Sequence, residues 1–313
     1  REGTAVGCSW DYGPVCDLLF NWRNTIVNTR AYGKDVDAVI ANCRAYIKGV
    51  EESGMAACCK HFPGDGVEEL DQHLVMGVNT FSCEEWDATF GKVYKTLIDD
   101  GIRSIMAGHI ALPAYSRKLR PGIKDEDIMP ATLAPELLTD LLRGRLGYNG
   151  LILTDASHMA GMTCAMPRSQ QVPRAIAAGC DMFLFFNDIE EDFGYMMAGY
   201  KSGIITEERL NDALMRILGL KASLKLHEKK KNGTLISSKE ALKVIGCEEH
   251  RKLAEKAADR SITLVKDTKH VLPISPKTHK RVCAFVISSP PISRKNRPDP
   301  VKEVVREELE KAG

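Results

Sequence analysis

The sequence predicts an α/β protein built on a parallel sheet. Two observations predict it. Short apolar runs alternate with longer stretches of helical periodicity along residues 1–226. Each run also ends in a polar or ionisable residue, as strands do where a parallel sheet gathers its carboxyl ends around a site.

Taken in order, the expected strands are 7–19, 54–59, 104–109, 151–154 and 182–186. The second, Gly-Met-Ala-Ala-Cys-Cys, is small and apolar throughout, as a strand buried on both faces should be. Helices are expected at 35–53, 82–100 and 135–146. Ser82 precedes Glu84 and Glu85 as an N-cap should, and Pro135 suits a first turn. A further helix covers 206–220, with Thr206 as its cap and Leu210, Leu214, Ile217 and Leu218 on one face. Residues 227–240 are charged and polar and read as a linker; the lysine run within them reads as a solvated surface rather than a nucleic-acid site. Beyond it, 248–259 reads as helix, 261–266 as extended chain and 281–288 as a buried strand.

Composition excludes several functions. A net charge of +1 gives no electrostatic footprint for nucleic acid or an anionic membrane, and no apolar run is long enough to span a bilayer. The ten cysteines show no C-x-x-C pair or zinc spacing, and Cys58, Cys59 and Cys180 fall in apparent core strands, so reduced thiols and a cytoplasmic setting are expected. Residue 1 begins neither with methionine nor with a signal peptide, so a native targeting segment is expected to be absent from this chain. No cluster has metal-ligand spacing and no cofactor is implied: Gly64-Asp65-Gly66 lacks the Gly-Lys-Ser/Thr of a phosphate loop.

Chemistry concentrates in residues 58–77. Lys60 and His61 emerge at a strand end, Pro63, Gly64 and Gly66 turn the chain, and Asp71 and His73 follow two residues apart. In an extended segment that spacing puts both side chains on one side. A carboxylate beside an imidazole fixes its tautomer and makes it more basic, which suits a general acid and base; an isolated Asp-x-His is more often an incidental pair in a solvated loop. A second concentration is 141–162, where an apolar strand ends in Thr154-Asp155. That aspartate sits where parallel-barrel enzymes place catalytic groups, or else caps the next helix.

Together these stretches resemble glycoside hydrolase family 3, and within it the β-N-acetylglucosaminidase (β-hexosaminidase) branch. Residues 60–66, Lys-His-Phe-Pro-Gly-Asp-Gly, are similar to that branch's Lys-His-Phe-Pro-Gly-His-Gly, and Asp71-Gln72-His73 to its Asp-Ser-His. The run from Leu-Leu-Arg to Leu-Thr-Asp matches the family's nucleophile signature. Gly13-Pro14-Val15-Cys16-Asp17, the 28–33 segment Asn-Thr-Arg-Ala-Tyr-Gly and Met106-Ala107-Gly108-His109 fit further family motifs in the right order.

The resemblance implies a (β/α)8 TIM-type barrel represented by about its last five βα units (1–226), then the linker and the start of an α/β sandwich domain (241–313). It places residue 1 before the fourth strand, so the family's early Asp-Gln-Glu-Gly-Gly segment has no counterpart. It implies a retaining hydrolase that removes terminal β-linked N-acetylglucosamine from a cell-wall or chitin-derived oligosaccharide. Asp155 is then the nucleophile and His73, oriented by Asp71, the acid/base. Such enzymes place the two groups about 5 to 5.5 Å apart. Arg30, Lys60, His61, Asp17, His109 and Met159 are expected around the sugar, Met159 as a pocket wall and Asp17 either on the sugar or pinning Arg30; a histidine placed like His109 is more often packed and hydrogen-bonded than in contact with sugar. Lys60 and Arg30 are expected to keep Asp155 ionised. Glu68 and Glu69 remain minor acid candidates. An imidazole base also admits phosphorolysis by the same residues, and an inactive sugar-binding fragment is the reading from another class. Asp65 and Gln72 depart from the branch pattern, and Gln72 is expected to point away with little effect. The loop 64–77, with a glycine at each end, is expected to close over bound sugar.

Overall fold

The structure is a computed structural model, and it describes residues 1–286 and 300–312. The chain divides into two compact units, 1–247 and 248–313.

The first unit is an α/β layer of parallel strands with helices packed on it. Its strands are β1 (Cys58–Phe62), β2 (Gly77–Val78), β3 (Ser104–Ala107), β4 (Ile110–Ala111) and β5 (Leu151–Thr154). β1, β3 and β5 form one parallel sheet in that order, and β2 pairs with β4 beside it. Every residue of β3 and β5 is buried, which explains why these runs carry no polar alternation.

The two outer expected strands are reduced to isolated bridges. Residues 7–19 follow β1 through Trp10↔Ala56 and Val15↔Lys60. Pro14, which has no N–H to donate, still accepts Lys60 N–H through its carbonyl at 3.2 Å. Residues 182–186 run beside β5 through the isolated bridge Leu153↔Met182. There the side chain of Thr154 takes over, its Oγ1 accepting Leu184 N–H at 2.8 Å where a strand partner would otherwise stand. Five parallel segments therefore still lie side by side in sequence order, with their carboxyl ends on one side.

The sheet separates two apolar clusters by strand alternation. Ala57, Cys59, Ile105, Ala107 and Ile152 pack into the large core with Trp86, Tyr94, Leu137 and Leu141 of the helices. Cys58, Met106, Leu151 and Leu153 face the opposite side, against Trp10, Tyr12, Ile217 and Leu220.

The expected helices form where their caps stand. Asp35 accepts Ala38 N–H at 2.8 Å and opens Val36–Glu52. Ser82 and Glu85 make a reciprocal capping box that opens Cys83–Trp86, continued by a π-turn over Asp87–Gly91 and by Lys92–Asp99. Pro135 precedes Glu136–Arg145, which is wound as a π-helix. In Glu207–Ser223 the buried face differs from the expected one: Leu214 and Leu218 are 44% and 59% exposed. The inward stripe is Leu210, Ala213, Ile217 and Leu220, the closer fit to a 3.6-residue period.

The segment read as a linker holds a helix at Leu226–Lys231 and a 3₁₀ turn at Lys239–Val244. Ser237 donates to the carbonyl of Thr4 at 3.0 Å. In the second unit, Glu248–Ser261 is helical, as is Pro300–Ala312. No strand forms at 261–266 or 281–286; Phe285 is 89% exposed, with no sheet partner among the described residues to cover it. The rest of the expected 281–288 strand lies outside the described residues.

Candidate active site

Asp155 follows directly on β5, and its N–H donates to Ala107 O at 2.8 Å, which fixes it across the tips of β3 and β5. Its Oδ1 accepts the N–H of Ala156 at 2.7 Å, and its Oδ2 lies 3.8 Å from His61 Nε2. Burial pushes this carboxyl up, but His61, His109, the Ala156 amide and Lys60 together hold it below the usual carboxylate range. The outcome is an ionised carboxylate in a mostly enclosed position, which suits a nucleophile.

His61 is held from behind by Asp17. Asp17 Oδ2 meets His61 Nδ1 at 2.7 Å, and Oδ1 accepts the N–H groups of His61 and Asp65 at 3.1 and 2.9 Å. A carboxylate only accepts, so Nδ1 carries a proton and Nε2 is aimed at Asp155. Burial pushes this imidazole down, but Asp17 and Asp155 more than compensate, and it is raised above an ordinary histidine. Asp17 therefore serves His61 and not Arg30. Arg30 is exposed and donates to the carbonyl of Ile26 at 3.3 Å, so the cationic partner beside Lys60 is His61. Lys60 itself is half-buried in the middle of β1, which runs past the expected strand end at Cys59 to include Lys60, His61 and Phe62.

The Asp71–His73 pair forms, but through a turn and not an extended segment. Leu74 N–H and Val75 N–H both return to Asp71 O, at 2.8 and 3.0 Å. Asp71 Oδ1 accepts His73 N–H at 2.8 Å and meets His73 Nδ1 at 2.7 Å. An aspartate that bonds its own backbone two residues on makes such a turn by itself. The turn is docked: Ala160 N–H and Gly161 N–H donate to the carbonyls of His73 and Gln72, each at 3.0 Å, just beyond Asp155. The ring of His73 stays exposed.

Its loop is tied down along its length. Glu68 Oε1 accepts Val78 N–H at 3.1 Å and Oε2 accepts Leu70 N–H at 2.7 Å, so this carboxylate holds backbone, while Glu69 lies on the surface with Arg23. Asn79 Nδ2 donates to Gly64 O at 3.0 Å and closes the loop ends together.

His109 lies at the centre and is fully buried. Its Nε2 donates to Ala156 O at 2.9 Å and its Nδ1 meets Thr132 Oγ1 at 2.9 Å. Burial pushes it below the ordinary imidazole range despite Asp155, and both ring nitrogens are engaged by protein. Met159 is buried at the start of the short helix Ala160–Thr163, and His158 is exposed and stacks on Phe185.

Sequence reasoning missed a second layer. Asp65 accepts Asn24 Nδ2–H at 2.8 Å, Gly66 N–H at 2.6 Å and Gln72 Nε2–H at 3.1 Å. Burial and Asp17 push its carboxyl up to about 6 against those donors. Gln72, expected to point away, is 1% exposed. The signal was present in the sequence: the two departures from the branch pattern in this loop are hydrogen-bonded to each other.

Among the described residues no helix is long and apolar enough to cross a membrane. The pattern described as the glycosyl hydrolase family 3 N terminal domain matches residues 1–220. A relative named beta-N-acetylglucosaminidase/beta-glucosidase, from Cellulomonas fimi, is 50% identical over 97% of this chain and 54% of its own length. A beta-hexosaminidase of Chromobacterium violaceum is 35% identical over 61% of the chain and 50% of its own length. The chain thus spans about half the length of these curated relatives. Among solved structures, beta-glucoside phosphorylase BglX superposes with a TM-score of 0.88 at 40% identity, covering 100% of this chain and 56% of that one. A family 3 beta-N-acetylglucosaminidase from Paenibacillus sp. superposes with 0.66 at 28% identity over 72% of this chain and 42% of its own. The α/β fold with parallel strands is that of the family's TIM-barrel-like N-terminal domain. By these matches and this site, the chain belongs to glycosyl hydrolase family 3.

Proposed function

We propose that this chain carries the catalytic groups of a retaining β-N-acetylglucosaminidase. The observation that supports it best is the pairing of an ionised Asp155 at the β5 tip with an Asp71–His73 couple whose backbone is bonded to the segment just after it. In this reading Asp155 attacks the anomeric carbon as the glycosidic C–O bond breaks, and His73 gives its proton to the departing oxygen. Water then loses a proton to His73 and attacks the same carbon, which releases Asp155. Asp71 keeps the His73 ring oriented between the two steps. Lys60 and His61 border Asp155 and supply donors for sugar hydroxyls, with Arg30 and Met159 further out. His109, with its ring nitrogens occupied, shapes the pocket floor by packing.

The test is Asp155→Ala and His73→Ala, assayed with 4-nitrophenyl N-acetyl-β-glucosaminide and the matching glucoside. Asp155→Ala should reduce turnover to background, and His73→Ala should cost about 10²–10⁴-fold. Full activity in either variant refutes the assignment.

A second reading is favoured by the beta-glucoside phosphorylase structures that superpose on this chain. An imidazole base carries no negative charge to repel phosphate as a carboxylate would. Phosphate would then replace water in the second step, and the product would be a sugar 1-phosphate. Product analysis with and without phosphate separates the two.

A further inference from the structure

Gln72 lies between the two members of the dyad, yet it is buried where Asp71 is half-buried and His73 exposed. It is 1% exposed, whereas the His73 side chain beside it is 55% exposed. Three hydrogen bonds hold it, and each runs to a different part of the site. Its Nε2–H donates to Asp65 Oδ2 at 3.1 Å, its Oε1 accepts His109 N–H at 3.1 Å, and its backbone carbonyl accepts Gly161 N–H at 3.0 Å. Asp65 is itself fixed by Asn24, by the Gly66 amide and, through its own N–H, by Asp17 behind His61. His109 follows β3, and Gly161 lies in the first turn of the helix after Asp155.

The amide is suited to this place because it donates at one atom and accepts at the other. A carboxylate would face Asp65 with a second acceptor, and a shorter amide would not span both partners. A turn anchored at its middle residue leaves its neighbours little freedom. The His73 backbone shifts only if Gln72 releases Asp65 or the N–H of His109, and leaving a buried donor without a partner is costly.

From this geometry we propose that Gln72 is the positioning residue of the acid/base: it bolts the Asp71–His73 turn to the strand tips and so presents His73 to the glycosidic oxygen. This rests on the reading of His73 as the general acid. Gln72 touches no reacting atom and acts through His73 alone. The loop would then be set before substrate arrives, and the ordering would not have to be completed at each binding event.

The experiment compares Gln72→Met with wild type on two β-N-acetylglucosaminides. Chitobiose has a poor leaving group that needs the proton, whereas a 2,4-dinitrophenyl glycoside departs without one. Gln72→Met should lose roughly 10–100-fold in kcat/KM on chitobiose and less than about 3-fold on the dinitrophenyl glycoside. In a His73→Ala background the same substitution should add less than about 3-fold, since the group it positions is gone. Retained dinitrophenyl turnover shows that the fold is intact. If Gln72→Met does not accumulate as folded protein, Gln72→Asn provides the same comparison. Equal losses on both substrates, no loss on either, or a loss that multiplies that of His73→Ala overturns the proposal. Chitobiose turnover that survives His73→Ala removes the general acid itself, whereas a crippled His73→Ala beside an unaffected Gln72→Met removes only the role given to Gln72.

Discussion

Asp155 shows how opposing effects are decided at a single residue. Enclosure at the tip of β5 favours its neutral form, and the surrounding groups reverse that, His61 first among them. The same imidazole is held up by Asp17 and Asp155, so the three form a buried chain of alternating charge in which each member depends on its neighbours. Replacing His61 with glutamine keeps a hydrogen-bonding side chain but removes the charge. Burial should then dominate, and the acidic limb of the kcat/KM–pH profile should move up by about one pH unit. An acidic limb that stays in place would mean that His61 does not control this carboxylate. Asp155, His61, Asp71 and His73 were legible in the sequence as candidates because each belongs to a short local run of residues. The role of Asp17 was not, since its partner His61 lies 44 residues away.

Among the elements, the loop between β1 and β2 and the segment after β5 are the pair that matters. They approach so closely that a side chain has no room between them. A Cβ on Gly161 would lie 2.8 Å from Gln72 O and 2.9 Å from His109 Cβ. Gly161→Ala should therefore push the dyad turn away from the β5 tip. The expected result is a fall of about 10-fold or more in kcat on substrates that need protonation, with a stability cost of about 1–3 kcal/mol. Unchanged kcat would show that the turn tolerates displacement. Gly66 answers a different demand: its φ is +103°, and a Cβ there would meet Leu18 O at 2.3 Å. The sequence predicted a turn at 63–66 from these glycines. It did not reveal how firmly the loop is tied, because the ties run through Glu68, Gln72 and Asn79, whose partners are set by tertiary approach and not by spacing.

For the molecule as a whole, pH dependence collects these local shifts. Asp65 is raised to about 6 from 3.8, so the folded state holds its proton over that interval and stability from this group falls as pH rises through it. His61 is raised above 6.5; its contribution is complete below that value and is lost as pH rises through the folded pKa. Asp155 works in the other direction: its contribution is present above 3.8 and is lost as pH falls through its lowered pKa. The first unit should accordingly be most resistant to urea on the mildly acidic side of neutrality. All three tryptophans, Trp10, Trp22 and Trp86, lie in that unit, so their fluorescence reports it. A midpoint that rises from pH 5 to pH 8 would contradict the shifts of Asp65 and His61.

What the sequence determined by itself is whatever short-range physics can write into neighbouring residues. Apolar runs with small side chains specified the central strands, Asp35, Ser82 and Thr206 specified the helix starts, and the 58–77 and 151–155 stretches specified which groups could do chemistry. Only tertiary structure decided which side chains share partners. It turned the outermost expected strands into isolated bridges and rotated the face of Glu207–Ser223. It also brought Asp17 behind His61 and drew Gln72 inward between a half-buried Asp71 and an exposed His73. The physical reason is that a buried polar group must find its partner wherever the fold supplies one, and that partner can stand far away along the chain.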